Sequence, residues 1–255
     1  MHKIKRYGWK RSLPVFGHPQ FEKTCMAATP ARADVSGGMP AVYDQGNLGS
    51  CTANAGAALA EFLTKKQGWL DYMPARLAIY YWNRQLEGTV SEDSGSSLAD
   101  TAKTLSTKGA PNETRWPYDI AKFTNTPTAA VVANAKQHII KDPLQVTQNM
   151  DDIRACIAFG YPIIFGFTVY ESFESDAVAK TGILSMPKRG EQVVGGHAVV
   201  ACGYDDYTKM VKVRNSWGPA WGQKGYFQMP YDFIANSNLA DDFWSAHQIS
   251  GWKPK

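Results

Sequence analysis

Cys51 closes the stretch DQGNLGSC and opens CTANAGAALAEF, in which small and apolar residues recur at helix spacing. A thiol in the first turn of a helix meets unpaired backbone N–H groups and the positive end of the helix dipole, which lower its pKa and favour the thiolate. A thiolate so placed is a nucleophile if a base stands beside it. Of the five histidines, His2, His18, His138 and His247 stand in arm, helix or tail contexts with nothing nearby to orient them. His197 differs. In GGHAVVACGY it follows two glycines and starts an apolar strand, from whose edge the ring can lean outward. In VRNSWGPAWGQKGY another strand ends at Asn215, whose neutral amide can accept the second imidazole N–H and hold the ring. Together these residues imply acyl transfer: the thiolate attacks a carbonyl carbon and the imidazolium protonates the leaving group.

The elements that must bring these residues together fall into two halves. Residues 1–40 are rich in proline, glycine and isolated aromatics, and read as an irregular arm. A helix is expected from Ser50 to Gly68, a second from Pro74, and a third at SLAD, where Ser97 and Asp100 make a capping pattern. Two more are expected from Pro127 and between Asn149 and Gly160, followed by strands in PIIFGFTVY, GGHAVVACGY, KMVKVRN and KGYFQM. Helices in a run and then strands in a run predict α+β architecture, with a helical lobe over 41–125 and a sheet lobe over 126–255. With 255 residues, 44% of them hydrophobic, the chain has ample material for a core. Its net charge of +4 is scattered, which points away from nucleic acid or membrane as partner. No run approaches the length of a membrane span, and MHKIKRYGWKRSLP lacks the apolar stretch of a secretory signal. Cys25, Cys51, Cys156 and Cys202 are widely spaced without a CxxC pair, which argues against a disulfide framework or a zinc site and for reduced thiols. As given, the chain reads as cytoplasmic. Cys156 and Cys202 fall on apolar faces and read as core thiols.

Four blocks in order resemble the papain-like, C1-type cysteine peptidases: QGNLGSC, GHAVV, NSWG and WGQKGY. The resemblance implies the two-lobed fold of that family with the active site in the cleft. It implies Cys51 as nucleophile, His197 as base, Asn215 as orienting amide, and Gln45 with the Cys51 N–H as oxyanion hole. It further implies Trp217 as a shield of the Asn–His bond. Gly95 and Ser96, in DSGSS, with Gly196, Ala198 and Trp221, are the candidate substrate-binding residues. The function implied is hydrolysis of peptide bonds with no cofactor and no metal, and with a peptide or protein as the partner. Other thiol-dependent acyl transfer, such as deamidation or transglutamination, and a non-catalytic binding protein on the same fold remain alternatives.

The departures are as informative. Leu48 stands where secreted members carry a disulfide cysteine, and Thr52 where a tryptophan usually follows the nucleophile, so the chain resembles a bacterial, disulfide-free branch. The segment before Gln45 is too short and too rich in turn formers for the family's helical propeptide, yet keeps Tyr7, Trp9, Phe16 and Phe21. Such residues should dock. The expectation is a strap that ties the lobes together; the rival is an arm lying in the cleft and keeping the enzyme latent, with KIKRYGWKR as an exposed processing site.

Overall fold

The computed structural model describes residues 7–13, 17–22 and 29–251. In chain order the elements begin with β1 (Arg32–Asp34), α1 (Cys51–Lys66), α2 (Arg76–Glu87), α3 (Leu98–Thr107) and α4 (Ala129–Ala135). The short strands β2 (Ile140–Lys141) and β3 (Leu144–Gln145) and the helix α5 (Met150–Ala158) lead to β4 (Ile163–Tyr170). After α6 (Asp176–Thr181) come β5 (Val193–Asp205), β6 (Met210–Arg214), β7 (Tyr226–Pro230), α7 (Tyr231–Ile234), β8 (Ala240–Ser245) and β9 (Gln248–Ile249).

The result is mixed α+β in two lobes, as the residue texture predicts. β3, β8, β4, β5, β6 and β7 form one antiparallel sheet in that order, with β1 added on β5, while β2 and β9 pair separately. β4 and β5 are central strands, and β4 is covered on both faces, which explains its unbroken apolar run IIFGFTVY. Its one face belongs to the sheet lobe's own core, with Phe165, Phe167, Val199, Val213 and Phe227. The other face packs on α1 through Ile164, Ala198, Val200 and Cys202.

α1 is buried from Cys51 through Thr64 because it runs between the lobes, and its small residues let both sides approach closely. Lys65 and Lys66 lie in its last turn, where cations suit the dipole. The Ser97 hydroxyl caps α3 by accepting the Asp100 N–H, as its pattern predicts. The lobes do not divide at residue 126, however. Val131 and Ala135 of α4 pack on Ala75, Ala78 and Trp82, so the helical layer runs on past that point. The first strand, at 32–34, lies with the sheet rather than in a structureless arm.

Residues 17–22 and 29–44 are strap-like: Phe21 enters the sheet-lobe core and its N–H donates to Gln145 O. Residues 7–13 are not. They lie in the cleft, against the expectation of a strap. Cys25 and Phe16 lie outside the described residues, as do the first four residues of KIKRYGWKR. The remainder of that run is docked, with Gly8 and Trp9 buried.

Candidate active site

The nucleophile candidate begins α1, and the base candidate lies in β5, which packs directly on that helix. His197 does not stand at a strand start as expected. It is inside β5, paired in register with Phe167, and fully buried. Its Nε2 is 2.8 Å from Asn215 Oδ1, an oxygen that also accepts the Ser216 N–H. Because that oxygen accepts, the proton of a neutral ring sits on Nε2 and Nδ1 is left as the basic nitrogen. Nδ1 has no hydrogen-bond partner. Asn215 directly follows β6 and its own N–H donates to Gly225 O, which fixes the residue from the far side. The Trp217 ring lies 5.1 Å from the His197 ring, with Phe167 and Phe173 completing an apolar wall.

Gln45 is wholly buried and held at both ends of its amide. Nε2 donates to Leu48 O at 2.9 Å, and Oε1 accepts the Ser216 hydroxyl at 2.6 Å. The second Nε2 hydrogen remains for an oxyanion. Ser216, unremarked in the sequence, therefore ties the oxyanion donor to the loop that carries Asn215.

Residues 7–13 cover all of this. Trp9 N–H donates to Gly196 O at 2.9 Å, Lys10 N–H to Ser96 O at 3.1 Å, and Ser96 N–H to Gly8 O at 2.7 Å. The arm thus adds a parallel strand-like partner to Ser96. Tyr7 lies edge-on to His197, 6.0 Å away, and donates its hydroxyl to Glu174 at 2.6 Å. Gly8 sits at the nucleophile, so close that a Cβ there would fall 1.7 Å from Gly49 O. The Trp9 ring fills a pocket against Gly166, where a Cβ would meet the indole at 1.9 Å. The Trp9 indole N–H donates to Asp242 at 3.3 Å and the Ser12 hydroxyl to the same oxygen at 2.6 Å. Asp242 also accepts from Leu98 N–H and from the Trp244 indole, so one carboxylate joins β8, the start of α3 and the arm. Burial raises it above the usual carboxylate range, and these four donors oppose that rise. Its φ of 66° is the left-handed region, a strained choice for aspartate that such a network can hold.

Under this cover Cys51 and His197 have no exposed surface. Burial pushes the Cys51 thiol up to about 11, against the pull of the backbone N–H groups of Ala198, Gly8, Thr52 and Cys51 itself. Burial drives His197 down to about 4, against the hydrogen bond to Asn215. Both effects favour the neutral forms. Gly196 and Ser96 meet the arm backbone, Gly95 flanks Gly8, and Ala198 lies at the sulfur. Trp221 is buried, packed on Phe173, Trp217 and Phe227. Sequence reasoning also missed Asp242, whose only signal is a carboxylate pair opening the apolar run DDFWS. Cys156 and Cys202 are buried thiols, each pushed up to about 12 by burial. An open cavity of about 740 Å³ lies elsewhere, at the β1–β5–β6 edge beside Arg32, Asp34 and Lys212. Among the described residues no helix is long and apolar enough to cross a membrane.

A family model described as "Papain family cysteine protease" matches residues 29–246. The chain is 43% identical over 217 residues to "Uncharacterized peptidase C1-like protein L477" of Acanthamoeba polyphaga mimivirus, covering 81% of this chain and 70% of that one. It is 29% identical over 199 residues to "Cathepsin B-like CP3" of Giardia intestinalis, covering 75% of this chain and 64% of that protein. Among solved structures, xylellain, a cysteine protease from Xylella fastidiosa, superposes with a TM-score of 0.88 at 35% identity, over 97% of this chain and 98% of that one. ProCathepsin B S9 from Trypanosoma congolense has the same fold, with a TM-score of 0.74 at 15% identity over 91% of this chain and 82% of that one. A match that runs unbroken from before β1 to just past β8 leaves one conclusion: the chain belongs to the papain family of cysteine proteases.

Proposed function

We propose that the chain is a cysteine endopeptidase working through a thiolate–imidazolium pair and a covalent acyl-enzyme, and that its own residues 7–13 hold it latent. The path of the arm carries this reading. An extended backbone crosses Cys51 with side chains seated on both sides of the sulfur, Tyr7 beside Trp217 and His197, Trp9 in the pocket floored by Gly166. A cleft that seats residues on both sides of the nucleophile suits cleavage within a chain.

The arm sits there as an inhibitor. Gly8 O accepts the Ser96 N–H and the Gly8 N–H is turned to the sulfur, so the backbone groups that would receive a substrate are already engaged. With the arm displaced, the thiol proton passes to His197 Nδ1 and Asn215 holds the resulting imidazolium. The thiolate adds to a substrate carbonyl, and the Gln45 amide and Cys51 N–H hold the oxyanion. His197 then gives its proton to the departing amine, and the acyl-enzyme is hydrolysed by water activated by the same ring.

The test is incubation of a denatured protein with the chain lacking residues 1–13, with and without Cys51→Ala. We expect peptide fragments from the shortened chain and none from its Cys51→Ala variant. Ammonia release without chain cleavage would instead identify a deamidase.

A further inference from the structure

Both departures beside the nucleophile, Leu48 and Thr52, adjoin residues that are bonded to one short stretch of chain, residues 93–96. The Gly49 N–H donates to both oxygens of the Asp93 carboxylate, at 3.0 and 3.2 Å. The Tyr80 hydroxyl donates to the same carboxylate at 2.5 Å and accepts the Gly95 N–H at 3.0 Å. On the other side of the nucleophile, Thr52 Oγ1 lies 2.5 Å from Ser96 Oγ. Ser96 is the residue whose N–H and C=O engage the arm backbone. Arg84, fully buried, braces the loop by donating to the carbonyls of Val90 and Glu92, with its guanidinium 4.1 Å from the Tyr80 ring centre. Burial and the Asp93 carboxylate hold the Tyr80 hydroxyl protonated, which keeps it a donor.

We infer that Asp93 and Tyr80 are positioning residues: they form a hydrogen-bonded clamp that sets the spacing between the nucleophile's loop and the segment at Ser96 that pairs with the arm. This chain has no disulfide cysteine at Leu48, and the clamp holds that loop without sulfur. Charge-assisted hydrogen bonds of this kind are about twice as strong as neutral ones. The chemistry needs the result, because the Cys51 sulfur and N–H belong to one side of the clamp and the Ser96 backbone to the other. A misplacement of about 1 Å between them can cost about a hundredfold in rate. The kinetic part of the inference rests on the proposed peptidase reading; the structural part does not.

The test uses the full-length chain with Asp93→Ala, Asp93→Asn and Tyr80→Phe. Hydrogen exchange at the Gly49 and Gly95 amides, melting temperature, and kcat and KM for a peptide amide are measured together. We expect Asp93→Ala to speed exchange at both amides, and Tyr80→Phe to speed it mainly at Gly95. Asp93→Ala should lower kcat about tenfold or more while KM moves by less than about threefold. Asp93→Asn keeps an acceptor for Gly49 and should recover most of the loss. Because the arm competes with substrate, loosening it would lower KM and leave kcat at saturation unchanged, so a fall in kcat does not come from the arm. Exchange that stays uncoupled overturns the clamp. So does a kcat within about twofold of wild type, or a loss of kcat that follows melting temperature alone without rescue by asparagine. Coupled exchange in a chain that hydrolyses nothing even after residues 1–13 are removed would uphold the clamp and contradict the peptidase reading instead.

Discussion

At Cys51 two influences of position pull against each other. The start of α1 favours a thiolate, whereas the arm above it removes water, and in the latched chain burial wins, leaving the thiol near 11 and His197 near 4. Between those values the pair is a thiol and a neutral imidazole. Alkylation of Cys51 by iodoacetamide should therefore climb with pH toward about 11 in the full chain, because only then does the buried thiol ionise. With the arm gone it should instead reach a plateau in the weakly acidic to neutral range, as an ion pair requires. The same burial sets a stability slope. An unfolded His197 takes up a proton near 6.5, and the folded one only near 4, so folding stability is full above about 6.5 and falls as pH drops toward 4. The loss is about 3 kcal/mol at most. Urea midpoints at pH 7 and 4.5 should differ more for wild type than for His197→Gln; equal slopes would mean that the ring is not held neutral. Cys51→Ala should abolish peptide hydrolysis, and Cys156→Ala and Cys202→Ala should spare most of it after correction for folded fraction. The candidate site residues were legible because chemistry ties residue type to spacing and order, and Cys51, Gln45, His197 and Asn215 stand in separate segments that the fold brings together.

Among the elements, the docking of residues 7–13 is decided by a few contacts. Trp9 is nearly buried, which contributes roughly 2–3 kcal/mol. The ion pairs of Lys10 with Glu87 and Arg11 with Asp241 join exposed groups and contribute at most about 1 kcal/mol each. Trp9→Ala should therefore release the arm far more than Lys10→Ala. Gly8→Ala is the sharper change. Its methyl would overlap Gly49 O, so the variant should hydrolyse a small peptide faster than wild type at nearly the same melting temperature. A Gly8→Ala chain as slow as wild type would show that the arm does not limit access. The long helices and central strands could be read from periodicity, since α1 through α3 and β4 through β7 each carry a pattern of their own. The arm could not. Tyr7 and Trp9 announce that they dock, but the partner strand at Ser96 and the pocket at Gly166 are non-local, and nothing in KIKRYGWKR distinguishes cleft from lobe surface. β8 was missed for a related reason: its start at Asp241 and Asp242 lacks an apolar alternation, and Asp242 is bonded there by donors from α3, Trp244 and the arm.

As a whole the molecule is two lobes that share α1, with an N-terminal segment that serves two purposes along its length. Residues 17–22 and 29–44 bind the sheet lobe through Phe21, β1 and the loop to Gln45, and belong to the folded body. Residues 7–13 occupy the cleft and contribute little to either core beyond Trp9 and the half-buried Tyr7. Deletion of residues 1–30 would mix these roles, because it removes Phe21 along with the latch. Deletion of residues 1–13 separates them. The decisive measurement is kcat/KM for a peptide amide by that shortened chain beside the full-length chain, with melting temperatures taken on both. We expect the shortened chain to remain folded and to turn over substrate about tenfold faster or more, since the docked arm competes directly with substrate for Ser96 and Gly196. A shortened chain that is folded yet no faster than the full-length one would contradict the latch.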